Sequence, residues 1–478
     1  MESNAGNIKS NFIYNVTFQV LLLILPFITT PYVSRVLGAE NVGRYSYSCA
    51  MASYFTILAA LGSDTYGRRK VAYFRDKKEM LSSVFWNTVA FRFVMSGISL
   101  VLYGLYLVAS KRVDALDLIV GVGIINVALD ISWFFQGMEN FKNTVFRNLT
   151  VRLILFAGIF IFVKESKDLW KYVLIIVSSQ TLGSLSLWCL IPRLVQAPKH
   201  VRPFEGFRDI WQIFLPSIAI QVYTVLDKSM IGWFTQSSYA NGCYEQSERI
   251  VRLALTVVTS ISTVVFPRVA NLFHKNKMEE AKEYIYLAFR IVWLTAIPIM
   301  LGLIATASSF IPIFLGSGYS DAIGLLIIFS FLIIPVSITN VAGISYLIPT
   351  GQQRIYTLAV TIAALANFFM NLVLIPRSGA FGAAVASVLA ETLGMIVQIT
   401  YCITTRQLSP KRIIYPLGKY LVSGFVMFIC VEALKRKLLT GIISLGVLIV
   451  CGAAVYFGCA ILLKDKLMLQ QIKKIRRH

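Results

Sequence analysis

The stretch GIISLGVLIVCGAAVYFGCAILL, residues 441–463, carries no charged side chain. Runs of this kind recur along the whole chain, each close to the ~20 residues an α-helix needs to cross a ~30 Å hydrocarbon core. Backbone amides cannot stay unpaired in lipid, so such segments must fold as helices that satisfy their hydrogen bonds internally. Composition agrees. Of 478 residues, 57% are hydrophobic and only 14% charged, with mean hydropathy +0.70, against about 25% charged in soluble domains. The expected fold class is an all-α polytopic membrane protein.

Apolar runs between polar breaks give about fourteen spans, starting near residues 11, 41, 81, 114, 143, 168, 208, 239, 285, 321, 353, 380, 413 and 438. The start, MESNAGNIKSNFIYN, lacks a basic region, a short apolar stretch and a small-residue cleavage site in order. The first run is therefore read as a retained helix. With the N-terminus in the cytoplasm, the loops on that side and the tail KDKLMLQQIKKIRRH hold about 26 Lys and Arg, against about 8 on the other side. This bias accounts for the formal net charge of +22 without nucleic acid, and places both termini on the cytoplasmic side of the membrane. The loop LKRKLLT, 434–440, is the exception.

The chain also echoes itself. VLGAENVGRYSYS (36–48) resembles MIGWFTQSSYANGCYEQS (230–247), aligning Gly38 with Gly232, Gly43 with Gly242 and Tyr45 with Tyr244 after a five-residue insertion. The offset spans six helices, an even number, so both copies keep one orientation, as in parallel-repeat transporters. Two pseudo-symmetric six-helix lobes follow, 1–205 and 206–406, with a terminal helix pair and basic tail over 407–478.

Charges inside spans are costly and usually face a bundle interior or a watery cavity. Eleven cations lie in or at the edge of spans: Arg35, Arg44, Arg92, Arg147, Arg152, Lys171, Lys228, Arg249, Arg252, Arg290 and Lys419. Acids at similar depth are fewer: Asp130, Asp227, Glu245, Glu248 and Glu391. Arg147, Lys171 and Arg290 sit near span ends, where long side chains snorkel. Glu245 with Arg249, and Glu248 with Arg252, have the i,i+4 spacing of intrahelical pairs. The cation surplus suits an anionic cargo, and the substrate-binding candidates are Arg35, Arg92, Lys228, Arg249 and Arg252. Asp130, Asp227, Glu245 and Glu391 are coupling or ion-pair candidates. Asp227 and Lys228, adjacent in YTVLDKSMIGW, point about 100° apart on a helix, and either one could face the cavity.

Enzyme signatures are absent. The three histidines, His200, His274 and His478, form no HExxH pattern, no phosphate-binding GxxxxGK[ST] occurs, and the seven cysteines suggest neither a disulfide framework nor a metal site.

Taken in order, PYVSRVLGAENVGRYSYS, LGSDTYGRRKVA, DISWFFQGMENFKNTVFRN, VLDKSMIGWF, GCYEQSERI, VVFPRVANLF and NFFMNLVLIPRSGAFGAAVASVLAE resemble a Wzx-type oligosaccharide flippase, in the polysaccharide-transporter branch of the multidrug/oligosaccharidyl-lipid/polysaccharide superfamily. The resemblance covers nearly the whole chain. It implies flipping of undecaprenyl-diphosphate-linked oligosaccharides to the outer leaflet by alternating access, for O-antigen, capsule or exopolysaccharide synthesis. A polysaccharide polymerase and a chain-length regulator are the candidate protein partners. No cofactor is expected, and the residues do not choose between proton and sodium coupling. On the matching motifs it makes Arg35 a gate or cavity cation and points to Asp227, Lys228, Glu245, Glu248 and Arg249; Arg92 is added from its depth alone. The alternatives are a cation-coupled drug or metabolite exporter of the same superfamily, which should carry an acid-rich lumen, and a membrane glycan polymerase or transferase, which needs a long catalytic loop.

Overall fold

The computed structural model describes residues 2–465 and 468, apart from 112, 140, 199 and 440; the side chains of residues 2–24, 141–146, 193 and 215–224 also lie outside the described set. Most of the basic tail, 466–467 and 469–478 with His478, falls outside the described residues too. Among the described residues every regular element is helical. In order they are α1 (Glu2–Ala60), α2 (Ser63–Phe74), α3 (Lys78–Ala109), α4 (Ala115–Leu129), α5 (Ser132–Gly137), α6 (Phe141–Phe162), α7 (Leu169–Trp188), α8 (Phe207–Thr235), α9 (Ser238–His274), α10 (Met278–Phe314), α11 (Ser320–Ser330), α12 (Ile333–Thr339), α13 (Gln353–Thr404), α14 (Pro410–Ile414), α15 (Leu417–Lys435) and α16 (Ile442–Leu462). A π-helical segment, Asn340–Leu347, follows α12.

Eight described segments are long and apolar enough to cross a membrane. Their outer faces carry the side chains that lipid accepts: Ile442, Ile443 and Leu462 of α16 are 74%, 81% and 80% exposed, a pattern that water would penalise. The predicted starts near 353 and 380 fall on either side of Gly379 in α13, where φ is 55° and ψ −132°. The first two predicted spans likewise meet within α1 at Gly38, where φ is 77° and ψ 167°. Only glycine visits such backbone freely, so each long helix is two rods joined at a glycine.

The chain divides into two compact units, Met1–Gly232 with Ser237–Gly242, and Trp233–Gln236 with Cys243–His478. In the first, α1, α3, α4, α6 and α7 share a core that includes Leu37, Tyr103, Ile124, Ile159 and Val173. A second cluster joins Phe85, Trp133, Phe134 and Leu187. The connection after α7 is fastened along α3: Trp86 Nε1 donates to the Gln196 carbonyl at 2.9 Å, the Gln196 amide to Ser82 Oγ at 3.0 Å, and Asn87 Nδ2 to Glu205 at 2.7 Å. In the connection between α6 and α7, Asp168 accepts from Lys171 and from the Lys164 and Glu165 amides. The Lys171 hydrogen bond is the main cause holding that carboxyl down at about 2.

The echoed glycines have a shared purpose inside this unit. A Cβ on Gly43 would lie 1.7 Å from the Ser238 carbonyl oxygen, and one on Gly242 would lie 1.9 Å from that of Ala39. The second rod of α1 and the start of α9 therefore cross backbone to backbone at the two residues the repeat aligns. Gly232 instead makes room for the Tyr47 ring.

In the second unit α10 is the spine. Ala281, Ile285, Ala288, Phe289, Val292 and Ala296 are buried along one face. Trp293 Nε1 of α10 donates to the Ile413 carbonyl of α14 at 2.9 Å, and the terminal pair is tied to α10 by Tyr456 OH of α16 to Leu294 at 2.9 Å and by Lys435 Nζ of α15 to Ala305 at 2.8 Å. Past α16, the fully buried Asp465 pairs with Arg290 at 2.7 Å and accepts from Tyr420 OH at 2.9 Å.

Candidate functional site

The intramembrane charges of the first unit collect around a break in a helix. Between α4 and α5 the chain leaves helical geometry at Asp130 and Ile131, stranding the last carbonyls of α4. Arg92, 2% exposed, fills that gap. Its Nε donates to the Val127 carbonyl at 2.8 Å, Nη2 reaches the same oxygen, and Nη1 meets Asp64 and, at 3.4 Å, the Ser63 hydroxyl. Asp130 serves the other end of the break, accepting the Ser132 amide at 2.9 Å and pairing with Arg147 at 2.9 Å. All three guanidinium nitrogens of Arg92 are thus engaged inside the unit.

The other predicted residues are dispersed. Arg35 is exposed, three residues before the Gly38 break. Asp227 and Lys228 are half-buried on α8; the Lys228 carbonyl accepts from Asn241 Nδ2 at 3.0 Å, and the neighbouring Ser229 hydroxyl donates to the Val225 carbonyl at 3.1 Å. In the second unit the i,i+4 pairs form as spaced: Arg249 to Glu245 at 2.8 Å, and Arg252 Nε to Glu248 at 2.7 Å. Glu391, half-buried on the second rod of α13, lies within electrostatic reach of Tyr356 on the first rod. The Tyr356 ring and Gln398 press against Gly343 of the π segment.

A search for charges overlooks a neutral cluster in the second unit. Asn371 Nδ2 donates to Asn367 Oδ1 at 2.9 Å, Asn367 Nδ2 to Ser387 Oγ at 3.4 Å, and Tyr244 OH lies 3.4 Å from the same hydroxyl. Asn367 and Asn371 are fully buried. Their i,i+4 spacing in NFFMN was the available signal. Asp64, in the first turn of α2, gave none, because its role depends on Arg92 from another helix.

Residues 8–273 match the family described as polysaccharide biosynthesis protein, and residues 149–452 match the one described as lipid II flippase MurJ. A candidate O-antigen transporter of Escherichia coli (strain K12) is 24% identical over 82% of this chain and 96% of its own. The structure resembles that of the lipid II flippase MurJ in an inward closed conformation, with TM-score 0.76 and 14% identity over 96% of this chain and all of the other. It also resembles an inward-facing multidrug resistance transporter of the MATE family, with TM-score 0.62 and 12% identity over 80% of this chain and 94% of the other. The chain is a multi-pass membrane protein that belongs to the polysaccharide biosynthesis protein family.

Proposed function

We propose that the protein carries polyprenyl-diphosphate-linked oligosaccharides from the inner to the outer leaflet of the bacterial inner membrane by alternating access. The product feeds a polymerase that builds O-antigen, capsule or exopolysaccharide. The observation that carries this reading over drug export is the extent of the likeness to the lipid II flippase, 96% of the chain against 80% for the multidrug transporter. The match to the flippase family also runs to residue 452, through the first helix of the terminal pair and into the second. A surplus of intramembrane cations supports an anionic headgroup, since guanidinium groups bind phosphate oxygens in pairs. Arg35, Lys228, Arg249 and Arg252 are its candidate contacts, and Glu391, half-buried on the second rod of α13, is the candidate coupling acid.

Loss of the protein tests this in cells. Surface polysaccharide should disappear while the lipid-linked repeat unit accumulates with its glycan on the cytoplasmic face, and drug susceptibility should not change. Normal surface polysaccharide, with hypersensitivity to cationic drugs, would favour an exporter instead.

A further inference from the structure

Nearly every intramembrane cation of the first unit has its countercharge supplied. Arg44 pairs with Asp114, Arg92 with Asp64, Arg147 with Asp130 and Lys171 with Asp168. Arg152 differs. It lies eleven residues into the 22-residue helix α6, about 16 Å along the helix axis and so at the middle of that helix. Among the described residues no hydrogen bond, ion pair or ring contact reaches it.

The sequence explains why. α6 packs on α1, α5 and α7. No Asp or Glu occurs in α5, α6 or α7, or in α1 from residue 3 to residue 39. Glu139 and Glu165, the nearest acids in sequence, pair with Arg75 and Lys167, and Asp130 is committed to Arg147 and the Ser132 amide.

Nor does Arg152 face lipid. At about 100° per residue, the exposed Leu153, Ile154 and Ile161 cluster on one side of α6, while Arg152 falls on the opposite side, within about 20° of the fully buried Ile159. Val151 and Gly158 abut Gly183 and Ile175 of α7, and Phe160 stacks on Tyr32 of α1 at 4.4 Å. Arg152 therefore points between α1 and α7, into the first unit, and is only half-buried there. A guanidinium at this depth with no internal anion requires water or a bound anion.

We propose that Arg152 binds the diphosphate of the transported polyprenyl lipid, as a further anion-binding residue of the first unit. The proposal rests on the function assigned above. The planar fork suits two phosphate oxygens at once, and the missing countercharge leaves the whole of its charge for the ligand.

The test measures binding of undecaprenyl diphosphate and of undecaprenol to the purified full chain in detergent. The wild type should prefer the diphosphate by about tenfold or more, roughly 1.4 kcal/mol. Arg152→Gln should lose that preference without weakening undecaprenol, and Arg152→Lys should keep part of it. Asn148→Asp places a carboxylate four residues before Arg152, the favourable i,i+4 orientation. It should also abolish the preference with almost no change in side-chain size, and decides the matter if Arg152→Gln fails to fold. Wild-type preference in the folded variants would overturn the role of Arg152 and leave the flippase reading intact. No preference in the wild type would overturn both. Inorganic pyrophosphate should compete weakly; competition as strong as that of the lipid would overturn a lipid headgroup as the ligand.

Discussion

At the scale of single residues, depth in a span does not by itself separate a binding cation from a structural one. Arg92 and Arg152 lie at similar depths in α3 and α6, yet the first is enclosed by the Val127 carbonyl, Asp64 and Ser63 and the second has no such partner among the described residues. Breaking a buried charge pair typically costs about 3–5 kcal/mol when a charge is left behind, whereas an exposed partner contributes about 0–1 kcal/mol. Arg92 is 2% exposed and Asp64 54%. Asp64→Asn strands the buried Arg92 charge and should accordingly lower the thermal midpoint of the purified protein by several degrees. Arg92→Gln instead removes that charge, leaves the half-exposed Asp64 to water and should lower it by less, through the lost hydrogen bonds to Val127 and Ser63. Midpoints unchanged in both variants would mean that the break between α4 and α5 does not depend on this contact. The sequence made Arg92 visible as an anomaly, but its partners come from α2 and α4, and no spacing rule joins residues 64, 92 and 127.

At the scale of elements, the glycines were legible and their separate duties were not. The repeat aligned Gly38 with Gly232 and Gly43 with Gly242 as equivalents. In the structure Gly43 and Gly242 meet at one helix crossing, while Gly38 breaks α1 and Gly232 only accommodates Tyr47. Alignment registers a missing side chain; it does not register whether backbone torsion or a neighbour requires the absence. The two requirements respond differently to substitution. Nothing lies within 4 Å of a Cβ placed on Gly38, so Gly38→Ala carries backbone strain alone, about 1–3 kcal/mol. Gly97, inside α3 with equally open space, is the control, since alanine suits a helix interior better than glycine by about 0.5–1 kcal/mol. Thermal unfolding in detergent should show Gly38→Ala destabilised and Gly97→Ala unchanged or slightly more stable. Equal behaviour of the two would contradict the torsional account of the α1 break.

At the scale of the whole molecule, hydropathy made the fold class plain because lipid leaves a chain so few ways to pair its backbone. The family was legible for another reason: several motifs survive in order over nearly the full length. The distribution of charge was only half legible. The i,i+4 pairs Glu245–Arg249 and Glu248–Arg252 follow from spacing and are present. The Asn367–Asn371–Ser387 cluster and the Arg290–Asp465–Tyr420 network depend on tertiary neighbours, and a neutral amide gives no signal in a search for charge. The account's central claim is that this chain moves an oligosaccharide-bearing diphosphate lipid across a bilayer. Its direct test is reconstitution of the purified full chain into vesicles with a fluorescent polyprenyl-diphosphate oligosaccharide, followed by a glycosidase that cannot enter. With the protein present, cleavage should pass the outer-leaflet fraction and approach completion as inner-leaflet lipid is delivered outward. Cleavage that stops at the fraction seen in protein-free vesicles would contradict it.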